Sequence, residues 1–198
     1  MRRLVIVALS FLLFTNTQLQ PVAAQPYPMR SKAVCLQILK KANQAGKPAA
    51  LWDCNLRGAN LRGADLTAAD LTNARLRYNA RHPRSANLSG ALLIGADLTD
   101  ILAPYVSFYN ANLTNAILVG AHLFAISCSG ATFDGADLTG AALQKAECKG
   151  ASFRGAILAN ANLERGWFPG TDFSAVVGEQ IKCWSATFDD GQRPTGCR

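Results

Sequence analysis

Residues 59–73 read ANLRGADLTAADLTN, in which a small residue, a polar residue and a leucine recur every five positions. With that leucine taken as the centre of each unit, centres fall at 56, 61, 66, 71 and 76, resume at 88, and continue every five residues to 188. Leu or Phe occupies 21 of these 26 centres. Ala stands two residues before the centre in 18 of the 26 units. A fixed short period held over this length indicates a stacked repeat architecture.

The spacing gives each position of the unit a role. The centres are expected to point inward and stack, with the small residue two positions earlier at an inward corner. The intervening Asp, Asn, Ser or Thr should face solvent, and the Asp carboxyls should have ordinary acidity. Gly or Asn often stands two residues after the centre, where these residues accept a positive φ in a tight turn. Neither the helical period of 3.6 nor the strand period of 2 fits this pattern.

The pattern resembles the pentapeptide-repeat family, whose consensus is A-(D/N)-L-X-X, over roughly residues 54–190. The resemblance implies an all-β solenoid, a right-handed quadrilateral parallel β-helix with one pentapeptide per side and four per coil. Residues twenty apart would then be neighbours in a rod roughly 30 Å long, at about 4.8 Å per coil. Two predicted interior columns are Leu88, Phe108, Cys128, Cys148, Phe168, Phe188 and Leu93, Leu113, Phe133, Phe153, Phe173.

Residues 1–24 carry the features of a secretory signal peptide. Arg2 and Arg3 precede an apolar run over 4–14, and Val22-Ala23-Ala24 supplies a cleavage site after Ala24. A membrane anchor is the alternative, but a run of about eleven apolar residues is shorter than the roughly 20 needed to span a bilayer. The sequence predicts an extracytoplasmic chain, in periplasm, thylakoid lumen or secreted, with no membrane span after cleavage.

Both ends of the solenoid are predicted to be covered, because open ends expose sheet edges and core. Residues 25–53 form the predicted N-terminal cap, with a short amphipathic helix from Ser31 to Ala45 ended by Gly46 and Pro48. Its apolar side is assigned to Val34, Leu36, Ile38 and Leu39. After Phe173 the pattern weakens, and Trp184 and residues 191–198 are assigned to a C-terminal cap or tail.

The six cysteines of an exported chain point to disulfides. Cys35 and Cys54 could fix the cap helix to the first coil, and Cys183 and Cys197 could fix the C-terminal end. Each bridge would contribute roughly 3 kcal/mol. Cys128 and Cys148 lie one coil apart and face inward, within bridging range, but stacked parallel side chains favour buried thiols at this pair.

Charge varies along the chain, with a net +8 over residues 30–84, −4 over 85–144 and +1 over 145–198. The repeat shifts register by two residues between Leu76 and Leu88, inside the basic zone. A bulge there would present a candidate interface, because Arg and Tyr are frequent interface anchors and loops on rigid scaffolds carry function. A tolerated insertion with solvated charges is the alternative. The candidate interface residues are Arg77, Tyr78, Arg81, His82 and Arg84.

No residue pattern of an enzyme is found. The chain lacks G-x-S-x-G, P-loop, H-E-x-x-H and C-x-x-C motifs, and both histidines, His82 and His122, are predicted to lie on the surface. A filled solenoid core leaves no cavity of the kind that enzymes use. We therefore expect no catalytic residue, no metal site, no cofactor and no enzymatic activity.

The sequence favours an exported binding or scaffold module with a protein partner. Exported members of the family that it resembles are frequent in cyanobacteria, which points to a location more than to a task. Two alternatives stay open. The basic N-terminal end could bind anionic lipid, polysaccharide or nucleic acid without sequence specificity. Some members mimic DNA and bind gyrase, but those are acidic dimers, whereas this chain carries a net charge of +7.

Overall fold

The computed structural model describes residues 29–76, 85–189 and 192–198. It contains a helix, α1 (Lys32–Gln44), and two short strands, β1 (Trp167–Phe168) and β2 (Thr187–Phe188), which pair in parallel. The rest of the solenoid is a ladder of single parallel bridges at every fifth residue. Within these described ranges, α1 is too short and too polar to cross a bilayer, and no other helix could do so.

Residues twenty positions apart pair along the solenoid, as the family resemblance implied. Asn87 pairs with Ser107, Ser107 with Ser127, and Ser127 with Glu147. Four five-residue units therefore complete one coil. Ala50 already pairs with Asp70, so the ladder begins with Ala49-Ala50-Leu51, one unit before the expected boundary at residue 54.

The interior consists of the centres and the small residues two positions before them, nearly all of them buried. The predicted stacking of phenylalanines is confirmed. Ring centroids lie 4.6 Å apart for Phe133 and Phe153, 5.1 Å for Phe153 and Phe173, and 5.3 Å for Phe168 and Phe188. Burial of these apolar side chains is the main source of stability for each coil.

The turn after each centre has a fixed geometry, because the residue two positions later adopts a positive φ throughout the ladder. Several of these residues are not glycine, such as Tyr105 at 62° and Lys145 at 59°. Asp or Asn before the centre helps to close the turn. Its side-chain oxygen accepts a hydrogen bond from the N–H two residues on, as from Thr67 to Asp65 at 3.0 Å and from Ser174 to Asp172 at 2.8 Å.

The expectation of ordinary acidity is wrong for two of these carboxyls. The backbone N–H of Thr67, and then its hydroxyl, hold the pKa of Asp65 below its usual value. The side chain and backbone of Ser174, with a smaller contribution from Arg154, lower the pKa of Asp172. The sequence reasoning placed these residues on the outside but missed that they are local hydrogen-bond acceptors.

The break in the repeat is a seven-residue insertion. Asn60 pairs with Asn87, a separation of 27 residues where other pairs are 20 apart. Ala86 N–H donates to the Leu76 carbonyl at 2.9 Å, the bond that an uninterrupted unit makes three residues after its centre. The insertion therefore contains one whole five-residue unit in addition to the two residues by which the sequence register shifts. Residues 77–84, with all five candidate interface residues, lie outside the described residues.

Helix α1 covers the N-terminal end. Ser31 caps it by accepting from Val34 N–H at 3.4 Å, and Gly46 and Lys47 close its C-terminus by donating to Asn43 and Ala42 carbonyls. Cys35 and Leu39 are buried, and Leu36, Ile38 and Ala42 pack against the core. Val34, assigned to the apolar side, is 47% exposed.

The C-terminal residues close the other end. Ile181 pairs in parallel with Cys197, and Arg198 N–H donates to the Ile181 carbonyl at 2.8 Å. Gly178 stands at a centre because a Cβ there would lie 2.7 Å from the Ala159 nitrogen. The final coil therefore packs directly against the backbone of the preceding coil at Leu158 and Ala159.

The structure joins the cysteines in three pairs. Cys35 pairs with Cys54 and Cys183 with Cys197, at Cα separations of 6.0 and 5.5 Å. Cys128 and Cys148 are also joined, which differs from the expectation of buried thiols. Coil stacking brings their Cα atoms to 4.5 Å, inside the range that disulfides span.

Replacing both Cys35 and Cys54 by Ser should lower the free energy of unfolding by about 3 kcal/mol, because the bridge closes a loop of 19 residues in the unfolded chain. Denaturant unfolding of the oxidised protein measures the loss. The wild type in reductant is the control, and equal stability of variant and wild type under oxidising conditions would contradict the prediction.

Alkylation of the denatured, unreduced protein should modify no cysteine, because the structure leaves none of the six free. Peptide mass spectrometry reports the modified positions. Alkylation confined to Cys128 and Cys148 would restore the expectation of buried thiols.

Lowering the pH should reduce the stability of the wild type more than that of Asp65→Asn. A carboxyl with a lowered pKa in the folded state contributes stability above its unfolded pKa, and this stability is lost as the pH falls through the folded pKa. Asparagine keeps the acceptor, as Asn60 does toward the N–H of Arg62, but does not titrate. Thermal midpoints measured between about pH 5 and pH 2 would test this, and parallel curves would contradict it.

Candidate interaction surface on the insertion side

The insertion leaves the solenoid from one of its four sides, which we call the insertion side. Ser85 Oγ donates to the Pro104 carbonyl at 3.2 Å, so the returning chain is attached to the next coil of the same side. The centres of this side are Leu56, Leu76, Ala103, Leu123, Leu143, Leu163 and Cys183. Its outward column is Asn55, Arg75, Leu102, His122, Ala142, Asn162 and Lys182.

The corner that follows this side is a continuous backbone ladder. Tyr105 N–H donates to the Phe124 carbonyl at 2.9 Å, and Lys145 N–H donates to the Glu164 carbonyl at 2.9 Å. Arg165 N–H then donates to the Trp184 carbonyl at 3.0 Å. The ladder places side chains from successive coils directly above one another. We call the following set the corner stripe: Tyr105, Phe124, Gln144, Lys145, Glu164, Arg165 and Trp184.

Aromatic rings and cations contact each other along the corner stripe. Tyr105 and Phe124 meet edge to face, with centroids 5.6 Å apart. Lys145 Nζ lies 5.5 Å from the Phe124 centroid, and the Arg165 guanidinium lies 5.1 Å from that of Trp184. These distances fall within the range of cation–π attraction. Tyr105 is 56% and Trp184 62% exposed, so the stripe combines ordered cations with aromatic surface open to solvent.

Charge is segregated between sides as well as along the chain. The described units of the insertion side carry five cations, Arg57, Arg75, Lys145, Arg165 and Lys182, against one acid, Glu164. The preceding side, with centres at Leu51, Leu71, Leu98, Leu118, Leu138, Leu158 and Gly178, carries no Lys or Arg. Its acids are Asp53, Asp70, Asp97, Asp100, Asp137 and Glu179. Two adjacent sides of the solenoid therefore have opposite charge.

Sequence reasoning missed the corner stripe because it followed charge along the chain. The signal becomes visible when the sequence is written in rows of twenty residues, which aligns Phe124, Gln144, Glu164 and Trp184. Lys145 and Arg165 align in the next column. Tyr105 falls in the same column as Lys145 and Arg165. Residues before the insertion align with these rows only if one row is lengthened to 27 residues.

The other predicted residues lie outside the corner stripe. The stacked pair Cys128 and Cys148 is buried, and His122 is exposed in the outward column of the insertion side. Over residues 29–76, 85–189 and 192–198, no three His, Cys, Asp or Glu side chains are grouped as a metal site would need. The stripe borders a shallow depression of about 310 Å³, lined by Phe124, Gln144, Lys145, Glu164, Arg165 and Trp184.

Comparison with solved structures finds pentapeptide repeat proteins. HetL, involved in heterocyst differentiation regulation in the cyanobacterium Nostoc sp. strain PCC 7120, is 27% identical over 73% of this chain and 72% of its own, with a TM-score of 0.46. A pentapeptide repeat protein of the Arabidopsis thaliana thylakoid lumen is 29% identical over 62% and 67%, with a TM-score of 0.36. Rfr23 from the cyanobacterium Cyanothece 51142 is 24% identical over 78% and 99%, with a TM-score of 0.37.

No curated protein matches the chain in sequence. The family model described as pentapeptide repeats matches eight copies, over residues 49–77, 84–119, 107–146, 121–158 and 136–174. These ranges flank the insertion and follow the ladder of parallel bridges. Repeats of this type imply a right-handed β-helix. Since the matched residues make up more than half of its length, this chain belongs to the pentapeptide-repeat family.

Proposed function

We propose that this chain is an exported, non-catalytic solenoid that acts as a binding or scaffold module for another protein through its insertion side. The observation that carries the proposal is the position of the insertion. It leaves from the side on which five cations and the exposed rings of Tyr105 and Trp184 collect. A rigid solenoid with an insertion on a side that is strongly basic among the described residues has the form of a presentation scaffold.

A non-catalytic role is supported by how the interior is filled. The centres and small residues of every coil pack against each other, which leaves binding to the outer surface. Carboxylates such as Asp65 and Asp172 are committed to the turns of their own units. The depressions on the described surface are open and shallow, unlike the enclosed clefts in which enzymes usually hold small substrates.

Export is supported by the sequence of residues 1–24 and by the cysteine pairs. The charged start, the apolar run and Val22-Ala23-Ala24 are the parts of a cleaved signal, although these residues lie outside the described ones. Cystines that join Cys35 to Cys54 and Cys183 to Cys197 persist in an oxidising compartment. Periplasm, thylakoid lumen and the cell exterior all meet this condition.

The contact residues that we assign to the insertion are Arg77, Tyr78, Arg81, His82 and Arg84. Arginine and tyrosine side chains supply planar donors and rigid apolar surface, and this combination makes them frequent interface anchors. A tolerated insertion with solvated charges would place no binding energy in these residues. The experiment below separates the two.

Binding of polyanions at the N-terminal end is a second candidate. Lys32, Lys40, Lys41 and Lys47 are all exposed on α1 or directly after it. Such a cluster attracts anionic surfaces without specificity, and the attraction weakens steeply with salt.

Affinity capture from native extracytoplasmic extract, with residues 25–198 as bait, should retain a partner protein. The same bait with Arg77, Arg81 and Arg84 changed to Glu should lose it, because reversing three interface charges replaces attraction by repulsion. The retained amount, measured by quantitative mass spectrometry, should fall at least tenfold, which is about 1.4 kcal/mol of binding free energy.

A matched control bait carries Lys32, Lys40 and Lys41 changed to Glu, with the same change in net charge on α1. This bait should retain the partner. Loss with the α1 variant alone would move the site to the basic N-terminal end. Equal retention by all three baits would contradict a role for the insertion.

A further inference from the structure

We infer that the corner stripe binds an acidic segment of the partner polypeptide laid along the solenoid axis, an inference that rests on the protein-binding function proposed above. The stripe runs from Tyr105 to Trp184 over four coil steps, or about 19 Å at about 4.8 Å per step. An extended peptide of about six residues covers that distance at about 3.3 Å per residue.

The two central cations of the stripe are available to a ligand. In the described part of the chain the ion pair within 4.0 Å is Arg154 with Asp172, at 3.1 Å. Lys145 and Arg165 instead lie against the rings of Phe124 and Trp184. Each cation is thus oriented by a ring while its charge is left for an external carboxylate.

The acid within the stripe does not neutralise these cations. Asn162 Nδ2 donates to Glu164 Oε2 at 3.4 Å, and Asn162 Oδ1 accepts from Glu164 N–H at 2.9 Å. The Glu164 side chain is therefore held toward Asn162. Its negative charge still opposes an acidic ligand at the depression, and removing that charge should strengthen binding.

Of the buried polar atoms without a partner, one lies in the corner stripe and two lie in the first coil of the same side. Within the described residues they are Asn55 Oδ1, Arg57 Nε and Gln144 Oε1, and all three belong to units of the insertion side. Such atoms are uncommon in folded proteins and carry a cost. Gln144 lines the depression beside Lys145. If the Gln144 side chain turned outward, its amide group would find a hydrogen-bond partner in a bound chain.

The composition of the stripe favours a polypeptide over other anions. Trp, Tyr and Arg are the residues that dominate the energy of protein interfaces. At this corner the N–H groups of Tyr105, Lys145 and Arg165 are paired between coils with the carbonyls of Phe124, Glu164 and Trp184, so a chain laid along the axis does not extend the ladder. Recognition must therefore rely on side chains. Acidic residues of the ligand would contact Lys145 and Arg165, and apolar residues of the ligand would contact the flanking aromatic rings.

The test uses a fluorescent eight-residue peptide with two central glutamates flanked by leucines, and a second peptide with glutamines in their place. Binding to mature protein 25–198 is followed by anisotropy. The first peptide should bind, and the second should bind about tenfold more weakly. Lys145→Glu with Arg165→Glu should weaken binding of the first peptide about tenfold, Trp184→Ala should weaken it several-fold, and Glu164→Gln should strengthen it.

Arg62→Glu with Lys149→Glu is the matched control, since it reverses two exposed charges on a different side and should leave binding unchanged. Equal losses in control and stripe variants, or equal binding of the two peptides, would overturn the inference. Thermal midpoints equal to that of the wild type verify that each variant is folded.

Other occupants give distinct results. Dextran sulfate and unlabelled acidic peptide are each tested as competitors of the fluorescent peptide. Stronger competition by dextran sulfate, if it depends on Lys145 and Arg165, would assign the stripe to polysaccharide and overturn the inference. Concentration-dependent association of the wild type, abolished by the stripe variant, would assign it to a second copy. Peptide binding that survives Arg77, Arg81 and Arg84 reversal, while extract capture finds no partner, would remove the proposed function and leave the stripe as a peptide site.

Discussion

The hydrogen-bond ladder between successive coils is the constraint on which the rest of this structure depends. In each unit the centre donates its N–H to the next coil, as Leu88 does to the Ser107 carbonyl at 2.8 Å. The residue before the centre donates backwards, as Asn112 does to the Ala91 carbonyl at 2.9 Å. These bonds are kept only if every coil contributes the same number of residues to the ladder. The five-residue period is therefore required by the backbone as much as by the core.

The same constraint explains how an insertion is tolerated. Seven extra residues after Leu76 leave the ladder intact, because Ala86 resumes the bond that the interrupted unit would have made to the Leu76 carbonyl. Additional chain can leave only at a corner without disturbing neighbouring coils. An insertion is thereby confined to one side, and the outward residues of that side become its surroundings. The sequence position of an insertion therefore decides the side of the solenoid on which it lies.

Closed ends complete the ladder. Helix α1 buries Cys35 and Leu39 over the first coil, and the last residues pair with Ile181 over the final one. Gly178 lets the last coil rest on backbone where other coils place a leucine. Each end also carries a cysteine pair. In a solenoid, where each coil contacts only its neighbours, fraying would begin at the ends, so cross-links are most effective there.

The sequence by itself determined the five-residue period, because every unit repeats the same local requirement for a small, a polar and a large apolar residue. The resemblance to the pentapeptide-repeat family implied the solenoid and the stacking of residues twenty apart. The sequence also marked Cys35 with Cys54 and Cys183 with Cys197, since each pair joins a terminal segment to a neighbouring coil. It missed the earlier start at Ala49, the exposure of Val34 and the acceptor role of Asp65, although Ala49-Ala50-Leu51 fits the repeat and the donor to Asp65 is the backbone N–H two residues on. The true length of the insertion and the corner stripe were decided only by the tertiary structure. Contacts between Lys145 and Phe124, or Arg165 and Trp184, join residues about twenty apart, and they exist only once the register of coil on coil is set.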